Sequence, residues 1–127
     1  MIYLDSSVAL AHLLGETRRP PDALWQEPVV TSRLLQYEVW NRVNARGLTA
    51  SHGETLRAFL GRLAFVELTA PVLERALEPF PVPVRTLDAL HLASALFLRA
   101  QGQAVRLATY DDRLARAARG VGLDVYA

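Results

Sequence analysis

The sequence contains no cysteine in its 127 residues. Disulfides, thiolate zinc sites and cysteine nucleophiles are excluded together, and a reducing compartment fits. It also contains no lysine, so all 14 basic residues are arginine. Chemistry that depends on a lysine amine is therefore closed to it, while planar, bidentate recognition of phosphate stays open. No apolar run approaches the ~18 residues that a membrane span needs. An acid stands at Asp5 and no basic residue precedes Arg18, which is the wrong layout for a secretory leader. A cytoplasmic protein without membrane attachment is expected. The formal charge of +1 provides no broad basic field of the kind that announces nucleic acid.

What is present is enough apolar material, 51% of the chain, to build a core. There is no repeat, linker or low-complexity stretch, so one domain spanning 1–127 is expected. Short apolar runs at Ile2–Leu4, Val29–Thr31, Ala64–Leu68 and 104–108, and a last one in "LDVYA", predict strands. Helical spacing predicts helices at Val8–Leu14, Arg33–Arg46, Ser51–Leu63, Pro71–Leu77, Thr86–Gln101 and in "DDRLARAARG", with a short one from Pro21 to Trp25. Ser32 is placed to cap the second of these helices, and Gly47, Gly102 and Gly120 to end helices. The prolines of "PFPVPV" bar helix there. Strands alternating with helices imply an α/β fold with a short-stranded, mostly parallel sheet covered on both faces.

In such a sheet, ligands bind beyond the carboxyl ends of the strands. Asp5 directly follows the first strand, and Asp111 follows the fourth after Thr109 and Tyr110. Asp88 opens the most apolar helix, and Glu38 sits among Leu34, Leu35, Val39 and Trp40. Each acid also has an ordinary reading. Asp5 and Asp111 suit helix caps, Asp88 a first-turn dipole partner behind a Thr86 cap, and Glu38 an i,i+4 pair with Arg42. Those readings do not explain the apolar settings or the shared sheet edge. Carboxylates that converge in a partly buried place must hold protons or a cation. Oxygen donors without a His–Cys pattern suit Mg²⁺ or Mn²⁺.

The stretches "YLDSSVAL", "SRLLQYEVWNRV", "RTLDALHLASA" and "LATYDDRLARAA" together resemble the PIN domain, and within it the VapC-type toxins of toxin–antitoxin pairs. The resemblance covers nearly the whole chain. It implies a three-layer α/β/α sandwich, Mg²⁺- or Mn²⁺-dependent RNA cleavage by an activated water, and neutralisation by a VapB-like antitoxin. The family's acidic quartet falls on Asp5, Glu38, Asp88 and Asp111, as metal-holding and catalytic groups. Its hydroxyl residues beside the metal correspond to Ser6, with Ser7 as the alternative, and Thr109. Arg85, one turn before Asp88, is a candidate for phosphate. His91 is read as a packed core histidine, and Trp25, Trp40 and Tyr37 as packing or interface residues. The high apolar content, with the resemblance, points to a homodimer and to a groove for a partner's amphipathic helix.

Two other enzyme classes resemble the chain less. A receiver domain uses a lysine that is absent here, and a haloacid-dehalogenase-like phosphatase needs a second aspartate where Ser7 stands. The alternative of a different kind is a PIN-like binding module without catalysis, which would need no Mg²⁺ to act.

Overall fold

The computed structural model describes residues 1–126. In chain order the elements are β1 (Ile2–Leu4), α1 (Ser6–Leu13), β2 (Val29–Ser32), α2 (Arg33–Ala45), α3 (Thr49–Leu60), β3 (Ala64–Val66), α4 (Ala70–Leu77), α5 (Thr86–Ala100), β4 (Arg106–Ala108), α6 (Asp112–Gly120) and β5 (Asp124–Val125). A 3₁₀ turn at Asp22–Gln26 stands where the short helix after Pro21 is expected. The strands form one sheet, ordered β3-β2-β1-β4-β5, and every pair is parallel. Tyr3 lies opposite Val30 on one side and Leu107 on the other.

Side chains alternate across the sheet and fill two cores. Tyr3, Val30, Val66 and Leu107 face α4, α5 and α6, where Val72, Leu92, Leu96 and Leu114 are buried. Ile2, Leu4 and Ala108 face α1, α2 and α3, where Val8, Leu35, Val39, Leu56 and Phe59 are buried. Both faces of the short strands are thus covered, which is why the strands read as unbroken apolar runs. The result is the expected three-layer sandwich.

Local signals set most helix ends. Ser32 Oγ accepts from the Leu34 backbone N–H at 3.2 Å and caps α2. Prolines 79, 81 and 83 keep the segment between α4 and α5 out of helix. Gly102, at φ +92°, turns the chain out of α5 and lets Gln103 N–H bond back to the Leu98 carbonyl at 3.1 Å. α6 ends at Gly120 as expected, although the left-handed residue that follows is Gly122, at φ +79°. Other local features differ from the sequence reading. The last strand is confined to Asp124–Val125, and Ala127 of the expected "LDVYA" strand lies outside the described residues. Thr86 does not cap α5. Arg85 holds the N-cap position, and its side chain makes no cap hydrogen bond.

Candidate active site

From β1 the chain moves through α1 to β2 on one side. From β3 it crosses over to β4 on the other side of β1. The carboxyl ends of β1 and β4 therefore flank the point where the winding reverses, which leaves a crevice between their outgoing loops. Asp5 leaves β1 there, and Thr109, Tyr110 and Asp111 leave β4 beside it. An open cavity of about 810 Å³ is lined by Asp5, Glu38, Asp88 and Asp111, with Arg18, Arg42 and Arg85 around them. All four acids singled out in the sequence share this one cavity.

Asp5 is 4% exposed. Its Oδ2 accepts from Ser7 Oγ at 2.6 Å and from Thr109 Oγ1 at 2.8 Å, with a longer contact from Ser7 N–H at 3.4 Å. Each hydroxyl donates its single hydrogen to Asp5 and accepts from the backbone of the β4–α6 loop. Tyr110 N–H reaches Ser7 Oγ at 2.9 Å, and Asp111 N–H reaches Thr109 Oγ1 at 3.0 Å. One carboxylate oxygen thus ties two strand ends together. The other, Oδ1, has no protein hydrogen bond among the described residues and lies 3.9 Å from His91 Nε2. Of the two candidate hydroxyls, Ser7 is the one that bonds Asp5, and both Ser6 and Ser7 line the cavity. The reason is local: Asp5 is the N-cap of α1, and a cap side chain folds back over the second residue of its helix.

Asp111 divides its work in the same way. Oδ1 accepts from Arg113 N–H at 2.9 Å and Leu114 N–H at 3.0 Å, capping α6, while Oδ2 is bound by the Arg85 guanidinium. Capping and pocket-lining are therefore not alternatives for Asp5 and Asp111, because each caps its helix and also lines the cavity. Asp88 sits in the first turn of α5 and takes Arg85 Nε at 3.2 Å. Burial raises its pKa above the ordinary carboxylate value. Arg85 opposes that rise, while the charges of Asp111 and Asp5 add to it.

Glu38 does not pair with Arg42. Its Oε1 meets His91 Nε2 at 2.5 Å, bridging α2 to α5. His91 is 1% exposed and is held from the other side by the Tyr3 hydroxyl, 2.8 Å from Nδ1. Burial alone would depress its pKa, but Tyr3 and the carboxylates of Glu38 and Asp5 outweigh burial and raise it. His91 is the core histidine that the sequence suggests and also a member of the site. Its place one turn after Asp88, on the same helix face, is the signal that could have revealed this. The tryptophans pack: Trp25 against His12 and Phe59, and Trp40 beneath Arg57. Tyr37 is largely exposed.

No three Asp, Glu or His side chains among the described residues are gathered at metal-ligand spacing. The acids instead engage the protein's own basic groups. Arg85 spans Asp88 and Asp111, and His91 lies beside Glu38 and Asp5. The donor set nonetheless fits a hard, hydrated dication. It is all oxygen, and Asp5 Oδ1 and Glu38 Oε2 are left without protein hydrogen-bond partners among the described residues.

Fold and site together define a parallel α/β domain with carboxylates collected at its switch point. Residues 2–120 match the PIN domain model, and the chain belongs to the PIN-domain family. It is similar to Ribonuclease VapC46 of Mycobacterium tuberculosis, with 36% identity over 99% of this chain and 96% of that one. It is likewise similar to Ribonuclease VapC47 of the same species, with 34% identity over 96% and 93%. Among solved structures it resembles a chain of VapBC2 from Rickettsia felis bound to a promoter DNA fragment, at TM-score 0.74 and 17% identity over 99% and 98% of the two chains. A toxin–antitoxin complex from Klebsiella pneumoniae contains a similar chain, at TM-score 0.73 and 17% identity over 99% and 97%. These two likenesses carry the fold. No described helix is long and apolar enough to cross a membrane.

Proposed function

We propose that the protein is an endoribonuclease toxin of the VapC type, dependent on Mg²⁺ or Mn²⁺ and neutralised by a VapB-like antitoxin. The observation that carries this reading is the meeting of Asp5, Glu38, Asp88 and Asp111 in one cavity at the sheet's switch point. End-to-end similarity to ribonucleases supports it.

In this reading Asp5, Asp111, Glu38 and Asp88 hold the cation directly or through water. When bound, the cation supplies charge neutralisation at the phosphate and a more acidic water. Hydrolysis forms a bond from a water oxygen to phosphorus and breaks a P–O ester bond. The proton lost from the water needs an acceptor in the pocket. Glu38 and Asp88, brought to the cavity by α2 and α5, are the two carboxylates to accept it. Ser7 and Thr109 fix Asp5 through Oδ2 and leave Oδ1 free of hydrogen bonds among the described residues. Arg18, Arg42 and Arg85 line the same cavity and are placed to meet the RNA backbone.

The pocket already holds a guanidinium, that of Arg85, between two carboxylates. In this reading an antitoxin arginine inhibits by occupying the same acids. Exposed Leu87 beside the cavity, and exposed Leu73 and Leu77 on α4, offer apolar surface for an antitoxin helix or a second copy. Induced expression tests the toxin reading. Wild type should arrest growth, and co-expression of its cognate VapB-like antitoxin should relieve the arrest. Equal arrest by wild type and Asp5→Asn would instead favour the binding-module alternative.

A further inference from the structure

The hydrogen bond between Tyr3 and His91 joins two fully buried side chains, and His91 in turn bonds Glu38, which lines the acid cavity. Tyr3 is 0% and His91 1% exposed. Tyr3 belongs to the central strand β1, His91 to α5 and Glu38 to α2, so the chain Tyr3–His91–Glu38 crosses three elements. A carboxylate oxygen accepts, so Nε2 carries the hydrogen that His91 donates to Glu38. Nδ1 is then met by the Tyr3 hydroxyl, which can donate to it or accept from it. In either arrangement Glu38 Oε1 is occupied. Oε2 is left without a protein partner among the described residues.

We infer that Tyr3 and His91 are positioning residues for Glu38, locking one of its oxygens against the core so that the other is presented to the cation. This rests on the nuclease reading above and deepens it. A flexible glutamate on a helix surface would lose rotamer freedom on binding a cation. A glutamate already clamped through β1 and α5 has lost that freedom beforehand, so the cation binds more tightly.

Mn²⁺ binding by purified protein, followed by electron paramagnetic resonance beside a thermal melt, tests the inference without measuring turnover. Tyr3→Phe removes one buried oxygen and should weaken Mn²⁺ binding several-fold. His91→Leu removes the clamp and should weaken it by about tenfold or more. His91→Gln keeps an amide N–H at the position of Nε2 and should recover much of the affinity. In a Glu38→Gln background, adding Tyr3→Phe should cost no further affinity, because the residue through which it acts is already altered. Tyr3→Phe and His91→Leu variants that melt earlier but bind Mn²⁺ as tightly as wild type would overturn the positioning role and leave the nuclease reading standing. Wild type that binds no Mn²⁺ would overturn both.

Discussion

The Thr109 hydroxyl donates to Asp5 Oδ2 at 2.8 Å, joining residues 104 positions apart at the ends of neighbouring strands. The same oxygen atom of Thr109 accepts from Asp111 N–H. Thr109→Val keeps the shape and removes both bonds, leaving a buried carboxylate oxygen and a backbone N–H short of partners. Stability should fall by ~1–3 kcal/mol, read from urea denaturation. Thr109→Ser should restore most of it. A Thr109→Val protein as stable as wild type would show that this hydroxyl does not hold the two strand ends together.

Arg85 stands where a dication would act on Asp88 and Asp111. It is well exposed, so its ion pairs should add little to stability. Its charge should still oppose a second cation in the same pocket. Arg85→Gln should bind Mn²⁺ more tightly than wild type in calorimetric titration, and the gap should narrow at high salt. Unchanged or weaker binding would mean that Arg85 does not compete for the pocket.

His12 tests the electrostatics far from the acids. Its ring lies against Trp25, and desolvation, with Arg62 and Arg19 nearby, lowers its pKa below 6.5, partly offset by Asp22. A lowered imidazole pKa means that the unfolded chain takes up the proton first as pH falls. The stability associated with neutral His12 is therefore present above the ordinary value and is lost as pH drops through it towards the folded value. Titration by proton NMR should place His12 below the ordinary imidazole range. His12→Phe should melt with a smaller loss between neutral and mildly acidic pH than wild type.

Burial sets the expected scale in the core. Leu107 is 0% exposed in β4, between β1 and β5, and Leu107→Ala should cost ~2–5 kcal/mol. Leu77 on α4 is 86% exposed, and Leu77→Ala should change stability by no more than ~0.5 kcal/mol in the isolated chain. Chemical denaturation of both variants checks the contrast.

The layers and the sheet edge were legible because buried parallel strands leave apolar runs and helices leave a repeating pattern. That was enough to place Asp5 and Asp111 together. Asp88 and Glu38 were legible as acids in apolar surroundings. Their partners were not, because pairing across helices depends on packing that no local spacing encodes. Glu38 therefore found His91 on α5 and not Arg42 on its own helix. Which of Ser6 and Ser7 bonds Asp5 was not legible, because cap geometry, not adjacency, decides which hydroxyl reaches it. α6 ends at Gly120 as read, but the left-handed residue that turns the chain away is Gly122, two positions on.

The most direct test of the central claim is RNA cleavage by purified protein, stripped of metal with EDTA and then resupplied with Mg²⁺, comparing wild type with Asp5→Asn. The asparagine keeps an acceptor for Ser7 and Thr109, so the variant should fold. Wild type should cleave only after Mg²⁺ is returned, and Asp5→Asn should be slower by about 100-fold or more under the same conditions. Cleavage by a folded Asp5→Asn protein at the wild-type rate, or cleavage by wild type that ignores EDTA, would contradict the claim that these carboxylates share a catalytic cation.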